Sequence, residues 1–452
     1  MKFMAIRYGL WYLRIGFLLF LSALIFGFLA ANVYKHSTSN QSIIGFLSLR
    51  PLHVSSAYFG IITIGIGSVT LAIQHLRTSI LGHRLQLGQF ILWVISLIGI
   101  YYSYFTADFG GREYWEFNPI WALPLGLSFF LFLIFYLHQL KFAKSWPVYY
   151  WMWLTGIVFF IFCFIENYLW IFPYFQNRFI TDLTIQWKVN GAIVGAINQI
   201  IYGIAFYLME KISGSKDNSN KNIAFAMYFL GLFNLMFNWG HHIYIVPTEK
   251  FIHYIAYIVS MTEWIILIRI FYLWNRQLRT NKLFINNFPF RFLMASDYWV
   301  MFNLILALLM SIPMINLFTH GTHITVAHAM STTIGINTMI VIAASFYFIQ
   351  PIIKNTTLIK YFKYAYIATQ ATLLVFIISL IIMGIKRYIW YFQQPQDPFR
   401  VMFISSLPYM NIFIFSGFIL MVLLGSYFFY LLITSFKKST FAYLNAFPIK
   451  LE

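Results

Sequence analysis

The sequence predicts an all-α polytopic membrane protein, a single bundle of twelve transmembrane helices with both termini cytoplasmic. Three observations carry that expectation. Of the 452 residues 61% are hydrophobic and only 9% charged, and the mean hydropathy of +0.74 lies far outside the range of soluble globular domains. Mostly apolar windows of about 20 residues, the length that crosses roughly 30 Å of hydrocarbon, recur along the whole chain. The basic residues alternate between rich and poor connections, as the positive-inside rule requires.

The elements follow in order. Lys2 and Arg7 precede the first window, 10–31, which lacks a small-residue cleavage site and reads as a retained helix. Windows 52–75 and 86–106 are joined through Arg77 and Arg84, and windows 119–138 and 147–171 through Lys141 and Lys144. Lys211, Lys216 and Lys221 join 185–209 to 222–246. Arg276, Arg279, Lys282 and Arg291 join 250–274 to 296–317. Lys354 lies between 322–351 and 360–385, and Lys437 and Lys438 follow 409–435. These connections and the N-terminus carry roughly twice as many Lys and Arg as the opposite side, so they are cytoplasmic. No stretch resembles a soluble domain or a Gly/Ser linker, so residues 1–452 form one domain.

The net charge of +18 is therefore topology, and nucleic-acid binding is excluded as its explanation. The single cysteine, Cys163, rules out a disulfide framework, a Cys-based zinc or iron–sulfur site and a CxxCH haem attachment. Any haem is held without a covalent bond.

The topology assigns a depth to each histidine. His53 opens the second span, His241 and His242 close the seventh, and His320, His323 and His328 open the tenth, all towards the outer side. A single intramembrane histidine is ordinarily an interhelical hydrogen-bonder; three helices bringing imidazoles to one depth point to haem or metal. His328 and Met330 are two residues apart, about 200° around a helix, so one helix offers an axial ligand to each of two haems. Met330 by itself would read as core packing. His53 is placed to close a six-coordinate haem opposite Met330. His241 and His242, about 100° apart, are both able to lean towards one non-haem metal.

At these residues the chain resembles the large, catalytic subunit of bacterial nitric oxide reductase in the haem–copper oxidase superfamily. RPLHVSSAYFG (50–60), GREYWEFNP (111–119), WGHHIYIVP (239–247) and THGTHITVAHAM (319–330) carry the resemblance, in order and in matching spans. It implies a bundle of the haem–copper oxidase subunit I type with two non-covalent haems b, low-spin on His53 and high-spin on His328. It also implies a non-haem iron on His241 and His242, a calcium ion near Glu113 and Glu116, and a proton-carrying role for Glu263 beside the iron. The reaction implied is reduction of nitric oxide to nitrous oxide in the bacterial inner membrane, with the active site towards the periplasm. Electrons would come from a small membrane-anchored c-type cytochrome docking on the outer face.

Two positions depart from the family pattern. The family carries a third iron-binding histidine on the sixth span, four residues before a second glutamate; TIQWKVNGAIVG (184–195) puts Gln186 and Asn190 there. An amide oxygen is a weak iron ligand and Asn carries no proton, so Glu263 or Glu166 is the candidate to complete the metal shell. The other departure is Met330, where the family has histidine, and His/Met ligation raises a haem potential. Three readings remain open: a nitric oxide reductase, a nitric oxide dismutase-like enzyme, or a non-catalytic haem protein serving as gas sensor or electron conduit. A transporter would explain the spans but not the co-localised histidines. Nothing resembles the Tyr–His cross-link region of oxygen-reducing oxidases.

Overall fold

The computed structural model describes residues 2–36, 45–74, 76, 79–214, 222–265, 268–269, 287–349, 356–393 and 398–437. Among the described residues the architecture is helical apart from one small hairpin. The long helices are α1 (Lys2–Lys35), α2 (Phe46–Ile73), α3 (Ile80–Phe105), α4 (Ala122–Leu140), α5 (Val148–Asn167), α6 (Phe179–Ser213), α7 (Asn222–Phe237), α8 (Lys250–Met261), α9 (Phe288–Met310), α10 (His323–Ile349), α11 (Thr356–Phe392) and α12 (Phe399–Ser435). Among the described residues ten helices are long and apolar enough to cross a membrane. The windows expected at 222–246 and 250–274 carry α7, of 16 residues and continued by a 3-10 turn to Ile243, and α8, of 12 residues, beyond which residues 263–265 and 268–269 are again helical. Residues 270–286, the continuation of the second window, lie outside the described residues.

Local chemistry sets several helix starts. Ser79 caps α3 by accepting from Gly82 N at 3.0 Å, and Asn287 caps α9 by accepting from Phe290 N at 3.3 Å. Thr322 caps α10, accepting from Ile324 N at 3.2 Å. It is reached through Gly321 at φ +69°, a left-handed conformation that favours glycine.

The bundle is layered around α2, whose apolar window is 89% buried, with α10 at 78% and α12 outermost at 28%. Close approach of α1 and α2 depends on small residues. A Cβ added to Gly67 would stand 3.0 Å from the carbonyl of Gly9, and one added to Gly16 would stand 3.3 Å from that of Gly60. Arg14, within the first span, closes the bundle on itself. It donates from Nη2 to the Ser435 carbonyl at 2.7 Å and from Nε to Ser435 Oγ at 3.2 Å, and its guanidinium lies 4.0 Å over the Phe436 ring. A cation thus sits at the C-terminal end of α12, where unsatisfied carbonyls favour it.

Between α3 and α4, β1 (Phe109–Arg112) and β2 (Trp115–Phe117) form an antiparallel hairpin, with Phe109 opposite Phe117 and Arg112 opposite Trp115. Gly111 is required by contact: a Cβ there would meet the Trp115 carbonyl oxygen at 1.4 Å.

Candidate functional site

His53 stands two turns into α2. Its Nδ1 lies 2.8 Å from the carbonyl oxygen of Ala23 in α1. A carbonyl only accepts, so Nδ1 carries the proton and Nε2 is left with its lone pair, the tautomer a metal ligand needs. Gly27, one turn beyond Ala23, lies against the same ring: a Cβ there would stand 2.6 Å from both Cε1 and Nδ1. Two residues of α1 therefore fix the imidazole, one by a hydrogen bond and one by having no side chain.

His328 and Met330 lie at the end of the α-helical turns of α10, directly before a π-helical stretch, Ser331–Thr338. His328 Nδ1 is buried with no hydrogen-bond partner, and Met330 is partly buried against the core. The π stretch is anchored downstream, where Asn337 Nδ2 donates to Asn198 Oδ1 of α6 at 3.0 Å and Gly335 abuts Trp299 of α9.

His241 and His242 sit on a 3-10 turn, Asn238–Ile243, that continues α7, with ring centroids 4.1 Å apart. Trp187 of α6 lies parallel to the His242 ring at 6.5 Å and meets His320 edge-on at 5.2 Å. A Cβ on Gly191, one turn along α6, would stand 3.2 Å from His242 Nε2, so the glycine keeps space at that nitrogen. His242 is within electrostatic reach of His241, His320 and His328. The structure thus brings together imidazoles that are nearly 90 residues apart in sequence. Burial holds the imidazole of His320, between α9 and α10, below its usual range.

The remaining expected residues are placed differently. Asn190 is 5% exposed and neither atom of its amide has a hydrogen-bond partner. Glu263 lies just beyond α8, next to Thr262, whose hydroxyl accepts from Asn234 Nδ2 of α7 at 3.1 Å. Gln186 is turned to the hairpin Phe109–Phe117: its amide oxygen accepts from Arg112 Nη1 at 3.2 Å. Glu166 pairs with Lys188 at 2.5 Å. Among the described residues no group of three His, Cys, Asp or Glu converges as a metal site.

Two arginines organise the layer around the hairpin. Arg50, three residues before His53, binds Glu113 at 2.5 Å and Glu116 at 2.9 Å. Burial pushes the Glu116 carboxyl up and Arg50 opposes it; burial and the Glu113 charge push the Tyr114 hydroxyl up to about 12. Arg112 Nη2 reaches both carboxylate oxygens of Asp182 at 2.6 Å, and its guanidinium lies 5.2 Å over Trp170. The signals were local ones: Arg50 at three residues from His53, and Asp182 at four from Gln186 on one helix face.

The residues fit haem: His53 has a fixed tautomer with a free nitrogen, and His328 a buried nitrogen in need of a partner. The histidine pair fits a metal held by two imidazoles but supplies no third ligand of its own kind. Glu113 and Glu116 do not fit an open calcium site, since Arg50 already brings a positive charge to both.

The family model for cytochrome c and quinol oxidase polypeptide I matches residues 7–419. No curated protein matches the sequence. Among solved structures, a haem–copper terminal oxidase dimer determined by cryo-EM superposes with a TM-score of 0.71 at 14% identity, over 96% of this chain and 84% of that chain, a likeness of fold.

Proposed function

Because the chain belongs to the cytochrome c and quinol oxidase polypeptide I family, and is with it a multi-pass membrane respiratory oxidoreductase, we propose that it reduces nitric oxide to nitrous oxide. The balance is two NO, two electrons and two protons to one N2O and one water. The observation that carries this reading is the grouping of His241, His242 and His320 about Trp187 of α6, with His328 of α10 within electrostatic reach of His242, which sets a candidate haem ligand and a metal-binding pair in one part of the bundle.

Bound as haem b, the cofactors would supply one-electron transfer at His53 and Met330 and gas binding at His328. The protein's own contributions are separable. Ala23 and Gly27 hold the His53 imidazole. Trp187 and Gly191 set the plane of His242 and the room beside it. Asn190 brings an amide without partners to the buried α6 face, one turn from Gln186. Glu263 is the carboxyl placed to hold a proton in the deeper part of the bundle. The outer hairpin, tied to α2 by Arg50 and to α6 by Arg112, is the face for a membrane-anchored c-type cytochrome on the periplasmic side of a bacterial inner membrane. Calcium has no part in this reading.

One observation favours a second reading. With Gln186 and Asn190 in place of stronger ligands, the fold also suits a haem protein that binds NO or conducts electrons without turning it over. Haem content by pyridine haemochrome, followed by anaerobic NO consumption with N2O measured by gas chromatography, separates the two. Two haems b per chain with stoichiometric N2O supports the reductase. Two haems with NO binding and no N2O supports the non-catalytic protein and sinks the reductase.

A further inference from the structure

We infer that Arg112 is a positioning residue that withdraws Gln186 from the histidine pair, so that the metal opposite the haem is held by His241 and His242 alone and exchanges readily. This rests on the reading of the site as a haem facing a metal, and deepens it by assigning the ligand count and the residue that sets it.

The α6 face that meets the pair carries Trp187 and Gly191, neither of which can ligate a metal. Gln186, adjacent to Trp187, has one ligating atom, its amide oxygen, and Arg112 holds that atom at 3.2 Å. Arg112 is itself held independently of Gln186. Asp182, one turn earlier on α6, takes it with both carboxylate oxygens at 2.6 Å, and Trp170 lies beneath the guanidinium. Swinging Gln186 towards the metal would therefore break a hydrogen bond from a charged donor that cannot follow, and such bonds are the stronger kind.

No anion offsets the loss. Among the described residues no third His, Cys, Asp or Glu joins the pair, and Glu166 is engaged by Lys188. The Lys188 ammonium that takes up Glu166 lies 5.8 Å over the ring of Trp239, two residues before His241, so this side of the pair carries a closed ion pair. Two imidazoles bind a divalent ion less firmly than a closed shell of three or four ligands. The coordination positions so left open are available to water or substrate.

The test reads iron per chain on detergent-purified protein loaded anaerobically with Fe(II) and then passed to the chelator ferrozine, with haem spectrum and circular dichroism as folding controls. The wild type should release its iron within the mixing and early kinetic phase. Gln186→His should slow release at least tenfold. Arg112→Gln, which frees the Gln186 oxygen and removes a cation, should slow it about threefold with the haem spectrum unchanged. A merely structural Arg112 would instead lose haem and iron together when replaced. The inference is overturned if wild-type protein keeps one iron per chain through chelation, if Gln186→His releases iron as fast as wild type, or if Asn190→Leu speeds release and so reveals Asn190 as a third ligand. A wild type that binds no haem would count against the underlying reading of the site, while iron per chain still tests the clamp.

Discussion

At the scale of single residues, the position of the His53 ring is decided by an atom that Gly27 lacks. Gly27→Ala would place a methyl 2.6 Å from the imidazole, so the ring must turn and the Ala23 hydrogen bond lengthen. Affinity for the low-spin haem should fall about tenfold, the lower end of what loss of an orienting contact does to a metal site, read as haem lost per chain on dilution. Met330→His should lower the midpoint potential of the same haem, since thioether ligation favours the reduced state relative to imidazole; a potentiometric titration showing no change would remove Met330 from the ligand set. The histidines were legible in the sequence because imidazoles at one depth in an apolar chain are few. Arg50 and Arg112 left only local hints of place, because the partners they bind lie 63 to 74 residues away, beyond anything that periodicity reports.

At the scale of elements, the hairpin Phe109–Phe117 links two site helices. Its first strand ends in Arg112, which holds α6, and its turn and second strand present Glu113 and Glu116 to Arg50 on α2. Gly111→Ala drives a methyl into the Trp115 carbonyl and should destabilise the fold by on the order of 3 kcal/mol, as steric conflicts with buried backbone do. The readout is thermal loss of the haem spectrum, with an unchanged melting curve as the outcome against it. The segment was recognisable in the sequence as GREYWEFNP, yet nothing in alternation or propensity marked strands so short. The π stretch after Met330 was equally hidden. It alters hydrogen-bond register without altering composition, and it sets the rotation of the ligand-bearing turn against an anchored lower half of α10.

At the scale of the whole molecule, hydropathy and charge made the bundle and most of its spans readable, since crossing hydrocarbon demands about 20 apolar residues wherever a helix stands in the fold. The inner form of the 222–246 window was less readable, because hydropathy reports apolar composition and not where α7 gives way to a 3-10 turn. The layer around the hairpin is held by tethered charges, so chelation should not loosen it. Treating purified protein with EGTA is expected to leave haem content, spectrum and melting temperature unchanged. A spectral shift reversed by added calcium would show that Glu113 and Glu116 hold an exchangeable ion despite Arg50. The clasp between Arg14 and Ser435 has a consequence in time as well as space. Translation delivers the first span to the bilayer more than 400 residues before its acceptor. Until α12 is inserted, that guanidinium has no Ser435 carbonyl to donate to and has to find water, lipid phosphate or an insertion factor instead. A nascent chain halted before its last span thereby carries a charge that marks it as unfinished.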